Sequence, residues 1–263
     1  MHSRILSSGL QKFYQPHLFF PSERRLRNLV FSNLKGTKIL DAGCGNGWLS
    51  VCAWENGYDV YSLDIGENEI KEISFLLKSR NAHVGLTRSS LSGLPFVDSF
   101  FDSIMCINVL EHIPGVEHAV LEMKRVLKKD GRLIIVVPNG LTFGLIYDKV
   151  VYRIIPTKTI LSHLYKATYS LTKNEISMLD LHEKEPISHC QEFTLASIRK
   201  LLIECGFKVI KTINCRFLSP YLRSLCTLVG MNPATAFERI DNRTAKYVPS
   251  FLAAEWAIIC EKI

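Results

Sequence analysis

Residues 38–48, Lys-Ile-Leu-Asp-Ala-Gly-Cys-Gly-Asn-Gly-Trp, decide how the chain is read. A short β-rich run is followed by glycines at 43, 45 and 47. Glycine admits positive φ and brings bare backbone close to a ligand, so the turn suits close approach. A helix begins immediately afterwards, and its first amides and dipole face whatever sits in the turn. Working outward, six more strand-like runs cover 59–65, 83–87, 101–107, 132–138, 208–213 and 255–262. Several are apolar nearly throughout, as strands buried on both faces are. Helix-length segments lie between them. Val116–Lys129 places Val116, Ala119, Val120, Met123, Val126 and Leu127 on one stripe and ends at Asp130-Gly131. Leu195–Gly206 has Thr194 as N-cap, with Ile198, Leu201 and Leu202 facing inward. The alternation predicts an α/β fold, a doubly wound and mostly parallel sheet with helices on both faces.

Two stretches break the alternation, 140–191 and 217–254. Connections this long carry their own helices or a function. The expected organisation is therefore an N-terminal helical lid over 1–36 and a main domain over 37–263. The first insertion is read as a helical cap over the site.

Apolar residues make up 47% of the 263-residue chain, too many for a disordered segment. No run reaches the roughly 18–20 apolar residues of a membrane-spanning helix. The first twenty residues lack the apolar core and cleavage site of a secretory signal, so a cytoplasmic protein is expected. The eight cysteines include no Cys-x-x-Cys pair and read as thiols of a reducing compartment. His182, His189 and Cys190 match no zinc spacing, so no metal is expected. The net charge of +7 is compatible with an anionic partner, but a solvated basic face is the favoured account of it.

The glycine turn is not a nicotinamide fingerprint. That motif needs its third glycine five residues after the first, where this chain has Trp48. Asp64 ends the second strand, at the place from which an acid accepts hydrogen bonds from both ribose hydroxyls of a nucleoside. Then come Ser90-Leu91-Ser92-Gly93-Leu94-Pro95-Phe96, Asp98, Phe100 and Asp102, and later Ile107-Asn108-Val109-Leu110-Glu111-His112. In spacing and order these motifs resemble those of class I S-adenosylmethionine-dependent methyltransferases. Leu63-Asp64-Ile65-Gly66 and Glu192-Phe193-Thr194 add a finer likeness to ubiquinone-biosynthesis O-methyltransferases.

The resemblance implies a Rossmann-like, seven-stranded sheet with its last strand antiparallel and S-adenosylmethionine bound over the first strands. It assigns the cofactor to Asp41, Gly43, Cys44, Gly45, Gly47, Asp64, Ile65, Ser90, Leu91, Ile107 and Asn108. Ser90 stands where the family usually has an aspartate toward adenine, and a hydroxyl accepts more weakly than a carboxylate. A hydroxyl acceptor needs a base, for which His112, Glu111 and His189 are candidates. The Asp/Asn-Pro-Pro-aromatic motif of DNA and glutamine amino-methyltransferases is missing after the fourth strand, so O-methylation is favoured. No nucleic-acid module is recognisable, which excludes DNA and leaves RNA a minority reading. The mix of aromatics, isoleucines and lysines in 143–158 suggests a lipophilic or lipid-linked small-molecule acceptor and peripheral contact with an anionic membrane. A chain that binds the cofactor without turnover is the alternative.

Overall fold

The computed structural model describes residues 21–140, 190–217, 241 and 244–263. The elements run α1 (Pro21–Phe31), β1 (Lys38–Ala42), α2 (Trp48–Glu55), β2 (Asp59–Asp64), α3 (Glu67–Arg80), β3 (Gly85–Arg88) and β4 (Phe101–Ile107). After a 3-10 turn at Leu110–His112 come α4 (Val116–Val126), β5 (Leu127–Pro138), α5 (Leu195–Glu204), β6 (Phe207–Arg216) and β7 (Glu255–Lys262). The seven strands stand in the order β3-β2-β1-β4-β5-β7-β6, and β7 runs antiparallel to both its neighbours. The expected doubly wound, mostly parallel sheet is the observed one. Its strand order reverses between β1 and β4, which opens a crevice at their carboxyl ends, the usual ligand position in such sheets.

The continuous apolar runs follow from burial on two faces. Along β5, Leu133, Ile135 and Val137 enter one core, while Ile134 and Val136 enter the other. The first core is roofed by α4 and α5 through Val120, Met123, Ile198 and Leu202, all fully buried. The second is roofed by Leu26 and Val30 of α1 and Leu49 and Ala53 of α2. Helix α3 packs through Ile73, Leu76 and Leu77 onto Cys44 and Val51, fixing the glycine turn from behind.

The helix expected over Val116–Lys129 ends three residues sooner, at Val126. Leu127 pairs with Phe101 instead, and Asp130 (φ 57°) with Gly131 shifts the register so that Arg132 meets Ser103. Leu127 is fully buried either way, so the helical stripe could not distinguish the two.

Of the expected lid, residues 1–20 lie outside the described residues, as does most of the two insertions. The part of 1–36 that is described includes α1, tied to β6 by Arg25, whose guanidinium donates to the carbonyls of Asn214 (3.1 Å) and Cys215 (3.2 Å). Among the described residues no helix is long and apolar enough to cross a membrane.

Candidate active site

A cavity of about 950 Å³ occupies the crevice over β1, β2 and β4. Its floor is the glycine turn, whose Gly43 and Cys44 amides donate to the Leu63 carbonyl at 2.8 and 2.9 Å and so bind the exits of β1 and β2 together. Gly45 (φ 51°) has open space where a side chain would begin, with nothing within 4 Å. At Gly43 (φ 81°) a Cβ would meet Val109 at 2.5 Å, so the turn also needs glycine to pass under the β4 exit. Gly47 is packed on Ile73 and lies outside the cavity lining.

Asp64 stands at the rim. Its carboxylate accepts from the Gly45 amide through Oδ2 and from the Gly66 amide through Oδ1, both at 2.9 Å. Each oxygen keeps further accepting capacity. Ile65 (67% exposed), Ser90, Leu91, Ile107 and Asn108 all line the same cavity. Asn108 adopts φ 54°, which asparagine tolerates, and its amide donates to the Val136 carbonyl at 2.8 Å. Asp41 also reaches the lining but is 2% exposed, and it accepts from Ser50, which in turn accepts from Ser62 at 2.8 Å. Burial, opposed by the Ser50 hydrogen bond and aided by Asp64, pushes the Asp41 carboxyl up to about 7. Burial and the two nearby aspartates likewise push the Cys44 thiol up, which keeps it protonated and inert.

The loop bearing Ser90 and Leu91 is held by a clamp that the sequence motif did not explain. Arg125 donates to the carbonyls of Leu94 (2.9 Å) and Phe96 (2.8 Å) and pairs with Asp98 (2.8 Å) and Glu122 (2.7 Å). Phe96 and Phe100 each meet Phe101 edge-on at 4.9 Å, and all three surround Tyr61. Asp102 is equally structural: it accepts from the amides of Thr37 and Lys38 (3.0 and 2.9 Å) and pairs with Lys128.

The two adjacent base candidates part company. His112 lines the cavity with its side chain 27% exposed, whereas Glu111 is 3% exposed and turned beneath the turn. They stay coupled, with His112 Nε2 at 3.9 Å from Glu111 Oε1. Burial pushes the Glu111 carboxyl up to about 7, and its Oε2 has no hydrogen-bond partner among the described residues. His189 lies outside the described residues.

Trp48, Glu69, Glu72 and Arg216 also line the cavity, and sequence reasoning missed them as site residues. Glu69 and Glu72 share one face at the start of α3, a signal that helical spacing could have given. Arg216 ends β6 on the far half of the sheet, held by Glu255 at 3.3 Å, and nothing local announces it.

The crevice thus lies at the strand-order reversal, floored by the glycine turn and rimmed by Asp64, the usual ligand position in doubly wound sheets. Residues 40–135 match the methyltransferase domain family. An uncharacterized protein of Methanocaldococcus jannaschii is 38% identical over 109 residues, 41% of this chain and 44% of that protein. The ubiquinone biosynthesis O-methyltransferase of Rickettsia akari is 27% identical over 131 residues, 48% of this chain and 52% of that one. The chain thus spans about half the length of these curated relatives. In fold it is similar to an S-adenosylmethionine-dependent methyltransferase of Methanosarcina mazei, with a TM-score of 0.58, 21% identity, and coverage of 89% of this chain and 97% of that chain.

Proposed function

We propose that the chain transfers the methyl group of S-adenosylmethionine to a hydroxyl of a small, lipophilic acceptor. The observation that carries this reading is the acidic lining of the crevice by Asp41, Asp64, Glu69 and Glu72 around open space above Gly45. That donor set fits a cationic nucleoside cofactor and repels a pyrophosphate. When bound, S-adenosylmethionine supplies a methyl group already activated on a sulfonium, so the protein chiefly aligns the reactants and excludes water, a contribution of up to roughly 7–11 kcal/mol.

Each side chain then has a task. Asp64, aimed by the Gly45 and Gly66 amides, accepts from the ribose hydroxyls through its remaining lone pairs. Ser90 takes the adenine edge, with Ile65, Leu91 and Ile107 as apolar walls. His112, at the exit of β4, takes the hydroxyl proton of the acceptor, and the buried Glu111 beside it favours the imidazolium that results. The small-molecule acceptor is proposed to be lipophilic on sequence alone, since residues 143–158 lie outside the described residues. Peripheral contact with an anionic membrane belongs to the same proposal, and recovery from a flotation gradient only in the liposome-free fraction would remove it.

The test is calorimetric titration with S-adenosylmethionine of wild type, Asp64→Ala and Gly45→Leu. Wild type is expected to bind at micromolar concentration. Asp64→Ala loses about tenfold or more, the worth of a charge-assisted hydrogen bond. Gly45→Leu fills the cradle. No binding by folded wild type would refute the reading, and binding without adenosylhomocysteine formation on any hydroxyl acceptor would leave a binding protein.

A further inference from the structure

The turn that presents His112 to the cavity contains only three residues, Leu110–His112, and closes only two internal hydrogen bonds, from His112 to Val109 and from Ile113 to Leu110. So short a 3-10 turn does not hold its own shape. Its carbonyls are held from elsewhere, by residues some eighty positions away in sequence. The Gln191 side-chain amide donates to the carbonyls of Leu110 (2.8 Å) and Ile113 (3.0 Å), using both its N–H groups. The backbone amides of Cys190 and Gln191 converge on the Glu111 carbonyl at 2.8 and 3.3 Å. The Cys190 thiol meets the His112 carbonyl at 3.4 Å. All four consecutive carbonyls from 110 to 113 therefore rest on residues 190 and 191.

The holder is itself rigid. Phe193 is buried in the first core, its carbonyl accepts from the Gly140 amide at 2.8 Å, and Thr194 starts α5 with a reciprocal capping box to Ser197. The strap 190–194 thus bridges the exits of β4 and β5 and hangs from a capped helix. This accounts for the Glu192-Phe193-Thr194 motif, which the cofactor site leaves unexplained.

We propose that Gln191 is a positioning residue that fixes the turn presenting His112 to the crevice. The proposal rests on the role given to His112 above. Glutamine is the side chain that fits: asparagine is one methylene short, and glutamate would turn carboxylate oxygens toward two carbonyls.

The imidazole resonances of His112, assigned by their loss in His112→Asn, test this without any acceptor. In Gln191→Glu and Gln191→Met, the His112 signals are expected to move and their titration midpoint to shift by about half a pH unit or more, as a changed surrounding requires. The exposed His83 keeps its own signals. Gln191→Met retains the length of the side chain and so its packing. Unchanged His112 signals in either folded variant would overturn the proposal, as would unfolding of both, which would make Gln191 a staple of the whole domain. A failure of S-adenosylmethionine to bind wild type would sink the methyl-transfer reading and leave the His112 signals unaffected, so the two failures are distinguishable.

Discussion

Replacing Asp41 by asparagine should make the protein more stable at alkaline pH, although Asp41 stands at the centre of the motif. The carboxyl lies in β1 at 2% exposure, and burial raises it from its ordinary 3.8 to about 7. A carboxyl raised in the folded state keeps a proton that the unfolded chain releases between about pH 4 and pH 7. Wild-type stability therefore falls as pH rises through that window and levels off above it. The rise from 3.8 to about 7, at about 1.4 kcal/mol per pH unit, sets a ceiling of about 4 kcal/mol on the penalty. The substituted asparagine keeps the shape, still accepts from Ser50 through its oxygen, and never ionises. Urea unfolding in steps from pH 4 to pH 8.5, followed by tryptophan fluorescence, should find the two proteins equal near pH 4. The variant should lead by about 1–4 kcal/mol at pH 8. Equal pH slopes, or a variant less stable at pH 8, would refute the reasoning that Asp41 is a costly charge retained for the ligand. The same substitution should weaken S-adenosylmethionine binding, which separates the functional role from the structural one.

Glu111→Gln is expected to act in the same direction, because burial lifts Glu111 from 4.5 to about 7, a ceiling of about 3 kcal/mol above pH 7, read by the same unfolding series. Arg125→Ala releases the 94–98 loop and should cost about 2 kcal/mol in urea unfolding, while lowering cofactor affinity through Ser90 and Leu91. Thr194→Ala removes the cap of α5 and should cost about 1 kcal/mol, with Thr194→Asn restoring most of it.

Much of the crevice was legible because its parts are local. A strand, a glycine turn and a helix lie within some twenty residues, and the chemistry of positive φ writes itself into the sequence as glycine. Asp64, Ser90 and Asn108 sit at strand exits, which periodicity locates to within a residue or two. The limits of α4 were not legible, since the apolar stripe to Leu127 serves a helix and a strand alike. Asp98 and Asp102 were read only as a family pattern, and their partners Arg125 and Lys128 show them to be scaffold. Adjacent Glu111 and His112 could not be told apart either, because a single turn sends one side chain under the sheet exit and the other into the cavity.

The sequence by itself determined the secondary elements and the α/β class, because propensity, hydrophobic period and turn chemistry act over a few residues. It also located the glycine turn that floors the crevice. Only the tertiary structure decided what surrounds that turn. Residues 190–191 grip the carbonyls of 110–113, Arg216 arrives from the far edge strand, and α1 roofs the second core. Those meetings join residues some eighty to two hundred positions apart, and no local periodicity records which of many polar side chains will find which carbonyl once the sheet has closed.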